Sequence, residues 1–251
     1  MYKKTEGIIL REMRFKETSK ILTILTPYHG KISAIARGVY RPKSQMVGTT
    51  QPFAYNKFIL YKGKNFYYVV QIDSIESYYS IRENINRMLF GSYMLELADT
   101  SVLEEEENVK IFMLLKKGLE VLSNTEVEFT KFITAYELKF ISFLGYKPML
   151  DSCVVCGEKN FSKMGFSVNK GGVLCQKCLC VGNDSIDIGL DVYRAIKKLI
   201  YTPLDRLDSI NISGKTAFKI HDIMVKYILH KIDKKNFNSL DIMKSMKNGG
   251  E

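Results

Sequence analysis

Two Cys-x-x-Cys pairs constrain this chain more than any other feature. Cys153-Val154-Val155-Cys156 is followed, eighteen residues later, by Cys175-Gln176-Lys177-Cys178. That spacing matches a four-thiolate zinc site: a two-residue spacer lets one tight turn aim two sulfurs at one ion, and a second turn completes a tetrahedral shell. Gly157 follows the first pair and Gly171-Gly172 precedes the second, where turns call for a residue tolerant of positive φ. Structural zinc held by Cys153, Cys156, Cys175 and Cys178 is therefore the expected cofactor. Disulfides fit less well. The cysteines number five, and the first residues, Met1-Tyr2-Lys3-Lys4-Thr5-Glu6, lack the apolar run of a secretory leader. A redox Cys-x-x-Cys would stand alone near a βαβ pattern, which is not seen here. Cys180 is left over. It is an alternative ligand to Cys178, but the symmetry of the two pairs favours Cys178 and leaves Cys180 free or merely packed.

A filled shell of four thiolates has no position for water or substrate, so the ion reads as a staple rather than a catalyst. A nucleobase deaminase needs His-x-Glu with Pro-Cys-x-x-Cys, and none of His29, His221 and His230 stands in that setting. Ser213-Gly214-Lys215-Thr216 resembles the end of a phosphate-binding loop. The glycine required five residues before Gly214 is instead Ser209, so Ser213 reads as a helix N-cap and no nucleotide cofactor is expected. Neither a Gly-x-Ser-x-Gly elbow nor a His-Glu-x-x-His helix is present. The chain does not read as an enzyme.

At 251 residues, 46% of them hydrophobic, the chain is long enough for a real core in one large domain or two to three small ones. No apolar run approaches the length of a membrane helix, and a soluble, cytoplasmic protein is expected. The net charge of +10 is uneven: residues 1–80 carry 13 Lys/Arg against 5 Asp/Glu, and residues 81–150 carry 8 against 11. A basic end on an otherwise mixed chain suits a polyanion, most often nucleic acid.

Residues 5–80 read as β-structure. Gly7–Phe15, Ser19–Thr26, Lys31–Arg37, Phe53–Tyr61 and Phe66–Ile72 are short strands separated by turn residues such as Pro27-Tyr28-His29-Gly30 and Lys62-Gly63-Lys64-Asn65. Five such strands suggest a small closed or nearly closed barrel. In Lys31–Arg37 strict alternation puts Lys31, Ser33 and Ile35 on one face. Helical spacing takes over near Ser80, with helices expected over Arg82–Thr100, from Val109, over Glu128–Leu144 (stopped by Gly145), over Leu190–Tyr201 (ended by Pro203), and over Ser213–Ile232. The run Glu104–Glu107 reads as the acidic first turn of the Val109 helix. Lys247–Glu251 reads as a frayed end.

The segment Gly30–Ser44 brings Lys31 from a strand, then Arg37, Arg41 and Lys43 from the strand end and its loop, with Tyr40 among them. Basic groups that track phosphates, interleaved with an aromatic for stacking, are what a barrel that binds single strands needs.

Here the sequence resembles a known family. Thr18–Thr26, then Gly30-Lys31, Ala36-Arg37-Gly38 and Arg41-Pro42-Lys43-Ser44, are similar to the N-terminal signature of the bacterial RecO recombination-mediator family. Leu144-Gly145-Tyr146-Lys147-Pro148 leading into Cys153–Gly157 resembles that family's entry to its zinc module. The resemblance covers essentially the whole chain. It implies an α+β multidomain protein: an N-terminal OB-fold over 1–80, a mainly helical domain over 81–149 and 183–245 with an inserted four-cysteine zinc module over 150–182, and a disordered tail over 246–251. It further implies a non-enzymatic protein, nucleoid-associated, that binds single- and double-stranded DNA, anneals complementary strands, and with RecR loads RecA on strands coated by single-strand-binding protein. Lys31 and Arg37 match family positions implicated in DNA contact, Arg41 and Lys43 fall in the same basic loop, and the four cysteines match the zinc ligands. Where the family often has a basic residue, this chain has Tyr40, which shifts the loop from charge toward stacking. The barrel and the loop by themselves also fit a zinc-stapled OB-fold protein that binds RNA.

Overall fold

The computed structural model describes residues 1–124, 126–181 and 184–248. The chain forms two compact units, Met1–Thr125 with Phe237–Glu251, and Glu126–Asn236.

The first unit is built on β1 (Tyr2–Phe15), β2 (Ser19–Thr26), β3 (Gly30–Ala36), α1 (Met46–Thr49), β4 (Tyr55–Lys62) and β5 (Tyr67–Glu76). The five strands close in the order β1-β2-β3-β5-β4, with β4 returning to β1. This is an OB-like barrel. Closure lets alternate residues fill the lumen: Ile9, Leu22, Ile24, Ile32, Phe58, Leu60 and Tyr67 interdigitate there, and the small Ala34 and Ala36 leave room for them. The alternation read over Lys31–Arg37 holds, since Ile32, Ala34 and Ala36 face inward while Lys31 and Ser33 are half-buried on the outside. Outward-facing apolar residues of β1 and β2 are covered by α3 (Ile85–Ser101) and α4 (Val109–Asn124), which follow the short α2 (Tyr79–Glu83). Tyr55 of β4 meets Phe112 of α4 edge to face at 6.2 Å.

The acidic run does something other than start a helix. α4 has no acidic residue in its first turn; Asn108 opens it, its side-chain oxygen accepting from Ile111 N at 3.1 Å. Glu104 instead bridges Gly30 and Lys31, and Glu105 N donates to the Lys31 carbonyl at 3.1 Å. The run therefore lies alongside the start of β3, where it satisfies backbone groups that would otherwise be left over at the strand end.

In the second unit, α5 (Phe129–Phe143), α6 (Leu190–Tyr201) and α7 (Gly214–Lys231) pack together, α5 most extensively on α7. Glu128 caps α5 by accepting from Lys131 N at 2.9 Å, and Ser213 caps α7 by accepting from Thr216 N at 3.1 Å. The phosphate-loop look-alike is thus an ordinary helix start. Glu137, fully buried on α5, meets His221 Nδ1 of α7 at 2.9 Å. Between α5 and α6 lies a sheet of four-residue strands, β6 (Met164–Ser167), β7 (Gly172–Cys175) and β8 (Ser185–Ile188), in the order β7-β6-β8.

The last element, α8 (Asn238–Asn248), belongs to the first unit and was not foreseen from periodicity. Its N-terminus is held by Glu96 of α3, whose carboxylate accepts from Asn238 N, Ser239 N and Ser239 Oγ at 2.7–3.0 Å. An acidic side chain on exposed helix N–H groups is favourable on both hydrogen-bond and dipole grounds. Of the tail expected over 246–251, residues 249–251 lie outside the described residues.

Gly30 is where the barrel and the acidic run meet. Its φ is +56°, and a Cβ there would lie 2.1 Å from the Glu106 carbonyl oxygen. Gly30→Ala should destabilise the protein by about 2–3 kcal/mol, the sum of a strained backbone and a forced backbone shift. Gly48, whose Cβ would meet nothing within 4 Å, is the control. Urea denaturation of the two alanine variants checks this; equal midpoints would show that the contact at Gly30 is not tight.

Candidate nucleic-acid interface and metal centre

The four cysteines of the two pairs come together. Their Sγ atoms all lie within 4.8 Å of one another, with Cys156 and Cys175 at 3.6 Å. Two knuckles build the cluster. Gly157 N donates to the Cys153 carbonyl at 2.9 Å and Cys178 N to the Cys175 carbonyl at 3.0 Å, so each Cys-x-x-Cys is folded back on itself. Gly157 adopts φ +77°, the conformation for which the sequence places a glycine there. The first knuckle is tied to β7 by Val154 N, which donates to Val173 O at 2.9 Å, and Cys175 is the last residue of β7 itself. Cys153, Cys175 and Cys178 are buried with Leu174 against Val154, Phe161 and Leu179, while Cys156 is exposed. Cys180 is exposed and is not one of the clustered four.

Burial works to raise the Cys153 thiol, but the backbone N–H groups of Cys156, Cys175 and Val155 outweigh it and bring the pKa down to about 6. Burial and the adjacent thiols Cys156, Cys175 and Cys153 push Cys178 up to about 12. The protein thus invites one negative charge and resists the next. Four thiolates in this space need a cation among them, and the set could hold a metal ion.

The basic segment after β3 is a loop of successive tight turns. Arg41 N donates to Gly38 O at 3.2 Å and Ser44 N to Arg41 O at 3.1 Å, while fully buried Val39 anchors the loop to the barrel. Arg37, Tyr40, Arg41 and Lys43 are exposed on it. None of these three cations has an ion-pair partner among the described residues. The Arg37 guanidinium lies over the Tyr68 ring at 4.7 Å from its centroid. Tyr40 is pinned by its N–H to Thr18 O at 3.1 Å, and its ring carries both Arg14 and Lys20 at 5.3 Å. Those two are register partners across the β1–β2 hairpin. Their place beside Tyr40 follows from strand pairing, and no local motif marks it.

Lys31 stands apart from this group. It begins β3 while Arg37 follows its end, roughly 20 Å away along an extended strand. Its ammonium group is held at 3.3 Å by the Asp99 carboxylate of α3 and also donates to the Asp99 carbonyl. Among the described residues no helix is long and apolar enough to cross a membrane.

Residues 1–78 match the family model for the recombination protein O N terminal and residues 82–241 the model for the recombination protein O C terminal. Similar curated proteins include the DNA repair protein RecO of Alkaliphilus metalliredigens, 34% identical over 97% of this chain and 99% of that protein. The DNA repair protein RecO of Acetivibrio thermocellus is 32% identical over 98% and 97%, and that of Bacillus pumilus 32% identical over the same shares.

The cluster geometry separates the fifth cysteine from the other four. Protein purified under reducing conditions should carry about one metal ion per chain. Cys180→Ser should keep it and Cys156→Ser should lose it, as read by elemental analysis. Loss of metal in the Cys180 variant alone would overturn the assignment of the four.

Proposed function

The chain belongs to the RecO family of DNA repair proteins, and on that premise we propose that it is a DNA-binding recombination mediator rather than an enzyme. It binds single- and double-stranded DNA through the barrel and anneals complementary strands. With RecR it helps load RecA on DNA coated by single-strand-binding protein, acting in the cytoplasm at the nucleoid. The observation that carries this reading is the 37–44 loop of the OB-like barrel, where Arg37, Arg41 and Lys43 are exposed around Tyr40 without ion-pair partners among the described residues. Charges in that state can exchange counterions for phosphates at little cost, and an aromatic beside them can take a base.

Within this reading each residue has a distinct part. Arg41 and Lys43 meet phosphates. Arg37, already stacked on Tyr68, offers its guanidinium edge to a phosphate while its face stays on the ring. Tyr40 stacks, its ring held in place by Arg14 and Lys20. Lys31 extends the track toward the other end of β3, exchanging Asp99 for a phosphate. The helical parts over 81–149 and 183–245 serve packing and docking of the protein partners.

The ion of the cysteine cluster is proposed to be zinc. Tetrahedral Zn–S bonds of about 2.3 Å place neighbouring sulfurs about 3.8 Å apart, close to the 3.6 Å between Cys156 and Cys175. Bound there, zinc supplies a closed cross-link and no open coordination position. Cys153 and Cys156 hold it from the turn before β6, Cys175 from the end of β7 and Cys178 from the turn after it.

Salt titration tests the DNA-binding residues. Arg41→Ala should weaken binding to single-stranded DNA of any sequence and lower the slope of log K against log salt by about 0.7, one phosphate contact. Asp99→Asn should strengthen binding by releasing Lys31; unchanged affinity there removes Lys31 from the track. Single-stranded RNA in the same titration checks the polymer. The mediator reading itself fails if complementary strands coated with single-strand-binding protein anneal no faster when this protein is added.

A further inference from the structure

The cations of the loop read phosphates, which single and double strands both present, and its one aromatic, Tyr40, offers a single stacking platform. A second surface on the same barrel has the chemistry to tell them apart. We propose that the outer face of β1, β4 and β5 is a base-stacking track that takes an unpaired strand from Arg37 and Tyr68 across Tyr61 and Tyr2 toward a cleft beside Tyr28. This inference rests on the nucleic-acid-binding reading above and deepens it.

Strand register builds the track. Tyr2 pairs with Tyr61 across β1–β4, and Tyr61 pairs with Tyr68 across β4–β5. Residues directly opposite one another in antiparallel strands share a face, so the three tyrosines form one cross-strand row. Their chain neighbours Leu60 and Tyr67 are buried in the barrel lumen, which turns Tyr61 and Tyr68 outward. Tyr2 is 66% and Tyr61 44% exposed, with ring centroids 5.6 Å apart and planes tilted by 58°. The Arg37 guanidinium closes one end of the row on Tyr68. A purely structural role for Tyr2 and Tyr61 would bury them, and the fold does not.

The next outward row along the same strands is Lys4 opposite Ile59. Lys4, Lys57 and Ile59 form one wall of a cleft of about 600 Å³, with Tyr28, His29 and Met113 among its other lining residues. Tyr28 is 65% and Met113 52% exposed. Two acids also line the cleft, but each is engaged: the Glu6 carboxylate accepts from the Tyr55 hydroxyl, and Asp73 accepts from Gln71 Nε2 at 2.8 Å. Lys4, Lys57 and, in the β4–β5 turn, Lys64 have no ion-pair partner among the described residues.

Charge complementarity names the occupant. The exposed rings of Tyr2 and Tyr61 and the half-buried Tyr68, bounded by lysines without ion pairs among the described residues on a segment of net charge +8 (13 Lys/Arg less 5 Asp/Glu in residues 1–80), suit a polyanion with flat apolar faces. A duplex hides those faces in its own stack, so the row can engage only unpaired bases. Tyr2, Tyr61 and Tyr68 thereby add affinity for single strands alone, on top of the phosphate contacts common to both forms.

The test measures binding of the full-length protein to three probes: an oligo-dT strand, an abasic strand of the same length, and a duplex. In the Tyr2→Ala/Tyr61→Ala double variant, affinity for oligo-dT should fall roughly 5- to 150-fold, the loss of about one stacked base, with the abasic strand and duplex unaffected. Tyr61→Phe should retain wild-type binding. Unchanged oligo-dT affinity in the double variant, while Arg41→Ala still weakens binding, overturns the track and spares the DNA-binding reading. Equal losses on all three probes also overturn it, because they report a general effect on the barrel. Failure of the wild-type protein to bind any probe removes the underlying reading as well. A halogenated-uracil strand photo-crosslinked to the wild-type protein keeps the test independent of variant folding: cross-links at Tyr2, Tyr61 or Tyr68 support the track, and cross-links confined to Tyr40 overturn it.

Discussion

Closure of the barrel through β3 and β5 sets what the first unit can present. Only two registered pairs make that seam, Ala34 with Tyr67 and Ile35 with Tyr68, and they run parallel in an otherwise antiparallel sheet. A short parallel seam is weak in backbone terms, so side chains on both sides reinforce it. Inside, Tyr67 fills the space left by Ala34 and Ala36, and its hydroxyl reaches Glu105 at 3.0 Å. Outside, Arg37 lies on Tyr68. The same arginine that reinforces closure thus stands at the root of the basic loop, and the same tyrosine begins the outward row. The proposed binding surface and barrel closure thus share one cation–π pair, worth on the order of 1 kcal/mol where it is partly exposed.

The second unit meets a different constraint. Its sheet has three strands of four residues each, too little to be stable by itself. Covalent or metal cross-linking is the usual remedy for so small a module. The four cysteines are free thiols, with the sulfurs of Cys156 and Cys175 3.6 Å apart, and burial together with the neighbouring thiols opposes ionisation of Cys178. A divalent ion held there would relieve that opposition and join the turn at Cys153–Cys156 to the end of β7. The cluster sits where a cross-link would do most for this sheet.

What was legible in the sequence was whatever repeats locally. Turn residues bounding Ser19–Thr26, period-two alternation over Lys31–Arg37, helical spacing over Glu128–Leu144 and Ser213–Ile232, and the two cysteine pairs each put a signal within a few residues, and the strands, the helices and the four-cysteine cluster formed there. What was missed depends on distant partners. The N-terminus of α8 is held by Glu96, more than 140 residues earlier. The strands β6 and β8 are four residues long, too short for alternation to register. The run Glu104–Glu107 looked like a helix start because carboxylates favour that place; pairing with Gly30 and Lys31 across the chain decided otherwise. The tyrosine row has no linear trace at all, since Tyr2, Tyr61 and Tyr68 become neighbours only through register.

Charge shows the same limit most sharply. Thirteen cations against five acids over residues 1–80 make this end suited to a polyanion, but do not say where one would lie. Folding removes several cations from the offer. Lys20 is buried on Glu12, Lys31 is held by Asp99, and Lys62 lies 2.8 Å from Glu105. Two of those three acids come from beyond residue 80, from α3 and from the acidic run, so the count over the first eighty residues could not include them. The cations without such partners among the described residues include Arg37, Arg41 and Lys43 on the loop and Lys4, Lys57 and Lys64 around β4, besides Lys3, Arg14 and Lys16. A counterion atmosphere is exchanged at open charges far more readily than at paired ones, because a paired charge must first give up its acid. The acids contributed by the helical segment thus withdraw Lys31 and Lys62 and leave open charges on the loop after β3 and on the face that carries the tyrosines.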